Sequence, residues 1–396
     1  MSHYEFYYNF QNIQWADIIF GGNFRQYSLF SNATLFDEAP LDSNNPKRIL
    51  SSAYGGYTQL SKDLFEKLRF SGSIRYDIMK DFDGHITPRV SLVYSPNENH
   101  NVRMNFQTGF RFPDMQLQFL YFDNPTGIFL GGVPSIASRY GVYNGGSWTQ
   151  SSYDDFVNQG GSLNPTTGEE VSNPGNVTLV TANFPYIKPE QLSSFEVGYK
   201  GLITGGLYMD FNYYYNTYTD FLSFQKTVGK QATQHQGKQV DAGRSWLLSV
   251  NSPYTLRSNG IGIGLTYTLL ENLMLTGNYN YTTFWGEQDA DFLAQFNTPR
   301  NHFSIGLGSS NFKRKFGFNV NYRYQDAFLW QSPYGTATIP SYGVLDAQLN
   351  YKLPAIKTIL KVGGTNLGGN DYRTNFGAPY VGQIYYVSLL FDEFLN

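Results

Sequence analysis

The sequence predicts an all-β fold, an antiparallel transmembrane β-barrel whose strands alternate apolar and polar residues. Three observations predict it. The alternating segments are long enough for a tilted strand to cross a bilayer. The links between them are short and long in turn, as periplasmic turns and external loops are. The composition is rich in rings and glycine and poor in charge, with aromatic 17%, charged 15% and Gly 40.

A soluble domain usually carries about 25% charged residues. Tyr 32 and Phe 32 suit aromatic girdles at two membrane interfaces. A soluble propeller is the competing all-β fold, but the blade repeat of about 40 residues is not seen. The net charge of -3 leaves no basic stripe for nucleic acid. Cys 0 excludes a disulfide framework and thiolate metal sites. No apolar run reaches the length of a spanning helix, so a closed barrel is the remaining way across lipid. The opening MSHYEFYYNFQN lacks the basic and apolar regions of an export signal. The chain is therefore expected to belong to a longer exported polypeptide.

Alternation and turn signals give about 14 strands. They are expected at 16–32, 49–64, 68–80, 86–96, 101–112, 192–203, 207–222, 255–269, 272–285, 300–310, 315–329, 342–353, 357–366 and 382–393. Residues 4–12 read as the end of one more. The short links are Leu64–Lys67, Ser95–His100, Ile203–Gly206, Leu270–Asn272, Asn311–Arg314 and Leu353–Lys357. The long ones are 33–48, 114–190, 223–254, 286–299, 330–341 and 367–381. Counted back from a periplasmic C-terminus, every short link lies inside. The link 81–85 is the exception, short where a long one is due.

The faces can be assigned strand by strand. Val102, Met104, Phe106, Phe110 and Phe112 share the lipid face, opposite Arg103, Asn105, Gln107 and Arg111. Ile74 and Tyr76 oppose Arg75 and Asp77. Leu207, Met209, Phe211, Tyr213 and Tyr215 oppose Asp210 and Asn212, and Ile261, Ile263 and Leu265 oppose a run of glycines. Phe316, Phe318, Val320, Tyr322 and Tyr324 oppose Asn319, Asn321 and Arg323. Arg75, Asp77, Arg103, Arg111 and Arg323 are therefore expected to face the lumen. Tyr218, Trp285, Phe328 and Trp330 are expected as headgroup anchors. In the last strand, Gly382, Tyr385, Val387, Leu389 and Phe391 form the apolar row. That is an edge an outer-membrane assembly machine can engage by strand pairing.

The longest link, about 114–190, should be an external loop, and loops of that length are usually functional or disordered. Its candidate ligand contacts are Phe119, Tyr121, Phe122, Arg139, Tyr140, Tyr143, Trp148 and Tyr153, since exposed rings among polar groups capture ligands by stacking. The alternative is that these rings pack a loop subdomain over the barrel. Catalytic chemistry is not legible. His3, His85, His100, His235 and His302 are scattered, without a pair at metal-ligand spacing. There is no GxSxG element and no phosphate-cradling glycine loop. Lumen carboxylates and arginines read most simply as wall-bracing ion pairs. No enzyme activity, metal or cofactor is expected.

Four stretches carry a family resemblance. QTGFRFPDMQLQFLY (107–121) resembles the strand end before a large external loop in TonB-dependent outer-membrane receptors. IKPEQLSSFEVGYKG (187–201) resembles the signature where that loop returns to the wall. NTPRNHFSIGLG (297–308) is similar to a strand opening, and NLGGNDYRTNFGAPYVGQIYYVSLLFD (366–392) to the last loop and strand. The resemblance implies the C-terminal part of a 22-stranded plugged barrel, without its plug domain, first strands and TonB-contacting box. It implies a Gram-negative outer-membrane receptor that imports a scarce solute (an iron chelate, cobalamin, glycan or peptide) with energy from TonB. The implied partners are outer-membrane lipid, TonB through the absent N-terminal part, the assembly machinery and an unidentified ligand. This chain alone is not expected to transport actively. A complete passive porin of about 14 strands and a soluble adhesin are the alternatives.

Overall fold

The structure is a computed structural model. It describes residues 1–10, 13–31, 34–37, 48–270, 272–286, 296–312, 315–332 and 335–391. The wall is a 15-stranded sheet. Its strands are β1 (Ser2–Phe10), β2 (Asp17–Leu29), β3 (Ile49–Phe65), β4 (Leu68–Met79), β5 (Phe82–Asn97), β6 (His100–Arg111), β7 (Glu190–Thr204) and β8 (Leu207–Thr219). They continue with β9 (Leu256–Leu270), β10 (Leu273–Trp285), β11 (Asn301–Phe312), β12 (Phe316–Gln325), β13 (Tyr342–Leu353), β14 (Thr358–Thr365) and β15 (Ile384–Phe391). Each strand pairs antiparallel with its neighbours in sequence, and β1 and β15 are the two edges.

Most expected boundaries lie within three residues of the observed ones, and Ser2–Phe10 is a full strand that brings the wall to 15. The expected segment 315–329 divides. Its ladder with β13 ends at Gln325, and Phe328–Ser332 forms a separate hairpin with Gly335–Ile339. Phe328 and Trp330 thus belong to a hairpin beyond the wall strand. Gly382 precedes β15, and Asp392 lies outside the described residues. Tight turns hold the short links. Gly205 and Gly206 both have positive φ, +47° and +90°, a geometry that twists with the strands and that glycine adopts without steric cost.

The wall is inverted relative to a soluble sheet. Met104 and Phe106 are each 48% exposed, while Arg103, on the other face just before Met104, is partly covered and ion-paired. β4 repeats this, with exposed Ile74 and Tyr76 flanking Arg75. The dry hydrophobic core lies in the links. Residues of 112–189 and 220–255 build a six-stranded sheet in the order Thr181–Ala182, Ser147–Thr149, Leu222–Gly229, Ser245–Asn251, Gly127–Leu130, Tyr121–Asn124. Ser245–Asn251 and Gly127–Leu130 run parallel, with Trp246 opposite Ile128. Ile128, Leu130, Val133, Trp246 and Leu248 are buried at its centre. The longest link is therefore a folded cap, and it is completed by a second link.

The short link that broke the alternation is explained by where the cap rests. β4 turns into β5 through Lys80 and Asp81, with φ +74° at Asp81. Met79 is buried there, and the fully buried Gln118 of the cap places Nε2 3.6 Å from its sulfur. Phe82, Leu29 and Ile49 pack against the cap core from the strand ends. A long link at this point would occupy the cap's seat.

Trp246→Ala removes the largest side chain of the cap core, at a cost of about 3–5 kcal/mol. Limited proteolysis should then cut both 112–189 and 220–255, while the heat-shifted gel band of the wall is unchanged. Cleavage of one link alone would contradict a shared core.

Candidate functional site

The cap is held together by a polar cluster drawn from three links. Asp37, from the link after β2, is 1% exposed. Its Oδ2 accepts from Arg139 at 2.9 Å and from the Tyr140 hydroxyl at 2.7 Å. The same hydroxyl lies 2.7 Å from Nδ1 of His235. The Tyr140 proton is committed to Asp37, so Nδ1 must carry the hydrogen in that contact. The His235 ring stacks on Tyr121 at 3.5 Å. Backbone bonds join the same pieces, Asp37 N–H to the Phe119 carbonyl and Tyr121 N–H to the Leu35 carbonyl.

Burial sets the electrostatics. It raises the Tyr140 hydroxyl well above its ordinary value, and the Asp37 charge adds to this. It raises Tyr121 as well, with Asp123 contributing, and it raises the fully buried Tyr143. Burial lowers His235 below its ordinary 6.5, against the opposing pull of Asp37 and Asp123. These shifts describe a structural staple whose hydroxyls stay protonated. Among the described residues no three His, Asp or Glu side chains gather as a metal site.

A second cluster joins cap to wall. Arg111 at the top of β6 donates to Oε2 of Glu190 at 2.9 Å, and the Leu222 N–H donates to the same oxygen at 3.0 Å. Glu190 is 8% exposed. Beside it the Asn251 amide reaches the Lys188 and Asp220 carbonyls at 2.8 and 2.7 Å, and Lys188 pairs with Asp220. Two stretches that sequence reading treated separately, GFRFP and KPEQ, therefore meet at one ion pair.

The structure divides the eight loop candidates. Phe119, Tyr121, Tyr140 and Tyr143 lie in the cap core, where they pack rather than present a contact surface. Arg139 is committed to Asp37. Phe122 is 37% exposed. Trp148 and Tyr153 stack at 6.3 Å, half-buried, with the Lys230 ammonium 6.0 Å from the Trp148 ring. Burial lowers Lys230 and raises Tyr153 from their ordinary values. On the wall, Arg75 pairs with Asp77 at 2.5 Å, Arg103 with Glu196 at 3.3 Å and Arg323 with Asp346 at 3.3 Å. Tyr385, Val387, Leu389 and Phe391 are exposed along the edge strand β15, with Gly382 ahead of it. Sequence reading missed Asp37, His235, Trp246 and Glu190 as site residues. Only Glu190 carried a signal, inside the KPEQ stretch.

A meander of antiparallel strands with apolar rows exposed, ion pairs on the other face and a folded cap at one end defines a membrane barrel of the receptor type. The chain belongs to the family described as TonB dependent receptor-like, beta-barrel, which matches residues 2–367. Three solved structures are similar. The FrpB iron transporter from Neisseria meningitidis (F3-3 variant) has a TM-score of 0.63 and 13% identity, covering 97% of this chain and 54% of that chain. A mutant of the ferric enterobactin receptor PfeA from Pseudomonas aeruginosa gives 0.62 and 13%, covering 98% and 53%. The siderophore receptor PirA from Acinetobacter baumannii gives 0.61 and 13%, covering 98% and 53%. This chain thus spans about half the length of these structures, and identity at that level carries the fold alone. A search of curated proteins finds no match.

Because its folded value is lowered, the docked His235 binds a proton less readily than the free ring. The cap's stability from this docking is complete above 6.5 and is lost as pH falls through the lowered value. Amides of 233–240 should exchange faster at pH 5 than at pH 7.5, after correction for intrinsic rates. Tyr140→Phe should loosen the same hairpin by roughly 1–3 kcal/mol at both pH values. Equal protection at the two pH values would remove His235 from this role.

Proposed function

We propose that this chain forms wall and cap of an outer-membrane receptor that captures a scarce solute and imports it with TonB-supplied energy. The inverted wall carries the reading. Its apolar rows stand exposed, as lipid contact requires, and its arginines are braced by carboxylates on the opposite face, as a water-filled lumen allows. Under this reading Arg75, Asp77, Arg103 and Arg323 face the lumen, and Arg111 sits at the external rim. The cap supplies a preorganised external surface, with Phe122, Trp148 and Tyr153 as its available rings. The similar structures include an iron transporter and siderophore receptors, so an iron chelate is one solute to test. TonB acts through parts of the receptor beyond this chain, so active import is a property of the whole receptor. The exposed row of β15 suits engagement by the outer-membrane assembly machinery.

A charge on the lipid face should be costly and one on the lumen face should not. Phe106→Arg, near the middle of β6, should destabilise the wall by about 2–4 kcal/mol in lipid vesicles. Asn105→Arg, beside Glu196, should be nearly neutral. Equilibrium unfolding read by the gel heat shift measures both, and equal losses would overturn the two-faced wall. In cells, deletion of the gene should abolish uptake of a solute that also requires TonB. Uptake that persists without TonB would favour a passive porin.

A further inference from the structure

The ladder between β5 and β6 stops short. Its uppermost pair is Arg89 with Gln107. Beyond that pair β5 reaches to Phe82 and β6 to Arg111, yet nothing further is paired between them among the described residues. The segment Phe82–Pro88 pairs with β4 alone, and Thr108–Arg111 pairs with β7 alone. Every other boundary in the wall is laddered to within one residue of the end of at least one of its strands. This boundary alone has a gap, and it lies at the external rim beside Arg111, where water can meet the backbone groups that the ladder leaves.

Rings cross the gap in place of backbone bonds. Phe82 meets Phe112 with centroids 5.7 Å apart, Phe112 meets Phe110 at 4.8 Å, and Phe110 stacks on His85 at 5.0 Å. Pro88 has no N–H to give a partner strand, and its carbonyl accepts from the Thr108 hydroxyl at 3.4 Å. A boundary held by side chains opens at lower cost than one held by a ladder.

The cap grips both sides of this gap. On the β5 side, Leu29, Ile49 and Phe82 pack against its core. On the β6 side, the chain runs through Pro113 into Asp114. That carboxylate caps the helix Met115–Phe119, accepting from the Gln116 and Leu117 N–H groups, each at 2.9 Å. Gln118 of the helix reaches both sides. Its Nε2 donates to the Pro113 carbonyl at 2.5 Å and lies 3.6 Å from the Met79 sulfur. Gln118 is fully buried, and its Oε1 has no hydrogen-bond partner among the described residues. A buried carbonyl left unpaired costs free energy that contact with water returns. The closed arrangement is thus held by one edge of this amide and penalised at the other.

We propose that the β5–β6 boundary is a lateral seam in the wall, closed by these rings and controlled by the cap, with Gln118 as its clasp. When the cap loosens, Gln118 releases Pro113 and Met79 and the rings part. The mouth of the wall then widens without loss of any ladder pair. The seam's part in solute entry rests on the receptor reading, whereas the seam itself is measured directly.

The test places nitroxide labels on pairs of cysteine substitutions in the purified protein, reconstituted in lipid vesicles, and reads their separation by double electron–electron resonance. The chain has Cys 0, so no native thiol competes. Thr87→Cys with Gly109→Cys spans the seam, and a Cβ at Gly109 meets no atom within 4 Å. Ser91→Cys with Asn105→Cys spans the ladder below it. Gln118→Ala should lengthen the seam distance by about 5 Å, one strand spacing, and leave the ladder distance unchanged. Trp246→Ala, in the cap core rather than at the seam, should lengthen the same distance. An unaltered gel heat shift certifies the wall of each variant. A seam distance unmoved by both substitutions overturns the proposal. Equal lengthening of both pairs overturns it as well, since seam and ladder would then yield alike. Oxidation of the seam cysteines to a disulfide should lower TonB-dependent uptake in cells, and dithiothreitol should restore it. Uptake indifferent to that disulfide overturns the seam's part in entry and leaves the receptor reading intact, which the TonB requirement tests separately.

Discussion

Every backbone N–H and C=O in a wall that meets lipid needs a partner within the protein. The rest of this structure depends on that requirement. Strands that pair in sequence order satisfy it through ladders alone, so the wall needs no packed interior to hold its shape. Side chains are then free to obey the solvent on each face. Phe106 can stand exposed on the strand that carries a partly covered Arg103 because the ladder between β6 and β7, rather than burial of Phe106, fixes both. The arginines cost little on the polar face because carboxylates on the same or the next strand meet them.

Hydrophobic burial does its part elsewhere, in the cap. The two links 112–189 and 220–255 are separated by β7 and β8, yet they share one sheet and one core. Neither carries enough apolar surface alone, since Trp246 and Leu248 come from one link and Ile128 and Leu130 from the other. Asp37 brings in a third link through Arg139 and Tyr140. The cap is then tied to the wall by Glu190, which begins β7 and accepts from both Arg111 and the Leu222 amide. A contact made at the cap is thereby coupled to the strand tops through buried polar bonds rather than through a flexible tether.

The wall was legible in the sequence because its determinants are local. A period of two, glycine-rich turns and alternating link lengths are written within each hairpin, and they located nearly every strand. The cap was not legible. Its strands are two to eight residues long, the pairing that joins the two links sets Trp246 opposite the distant Ile128, and the central strands bury on both sides, which erases the period. The ring-rich composition of 114–190 was visible, but a ring in a core and a ring on a surface look alike in sequence. Tyr121 and Tyr140 are of the first kind, Phe122 of the second. His235 read as isolated because its partners lie about a hundred residues away. The short link at Lys80–Asp81 was the one local anomaly that marked the cap's seat. The resemblance to known receptor stretches found Arg111 and Glu190, but not that they touch.

The two edges of the sheet pose the remaining physical problem. β1 and β15 are exposed along their whole described lengths, on both faces. In a 15-stranded antiparallel meander, the first and last strands run in the same direction. Joining them directly would make a parallel seam, whereas single-chain bacterial barrels have an even number of antiparallel strands. A second copy of the chain does not help, because its β1 would also meet β15 in parallel. An odd number of further strands between the edges restores the alternation and satisfies both rows of backbone groups. Under the receptor reading, those strands come from the rest of the same receptor. The apolar side chains of Tyr4, Phe6, Val387 and Leu389 then continue the lipid-facing belt across the seam.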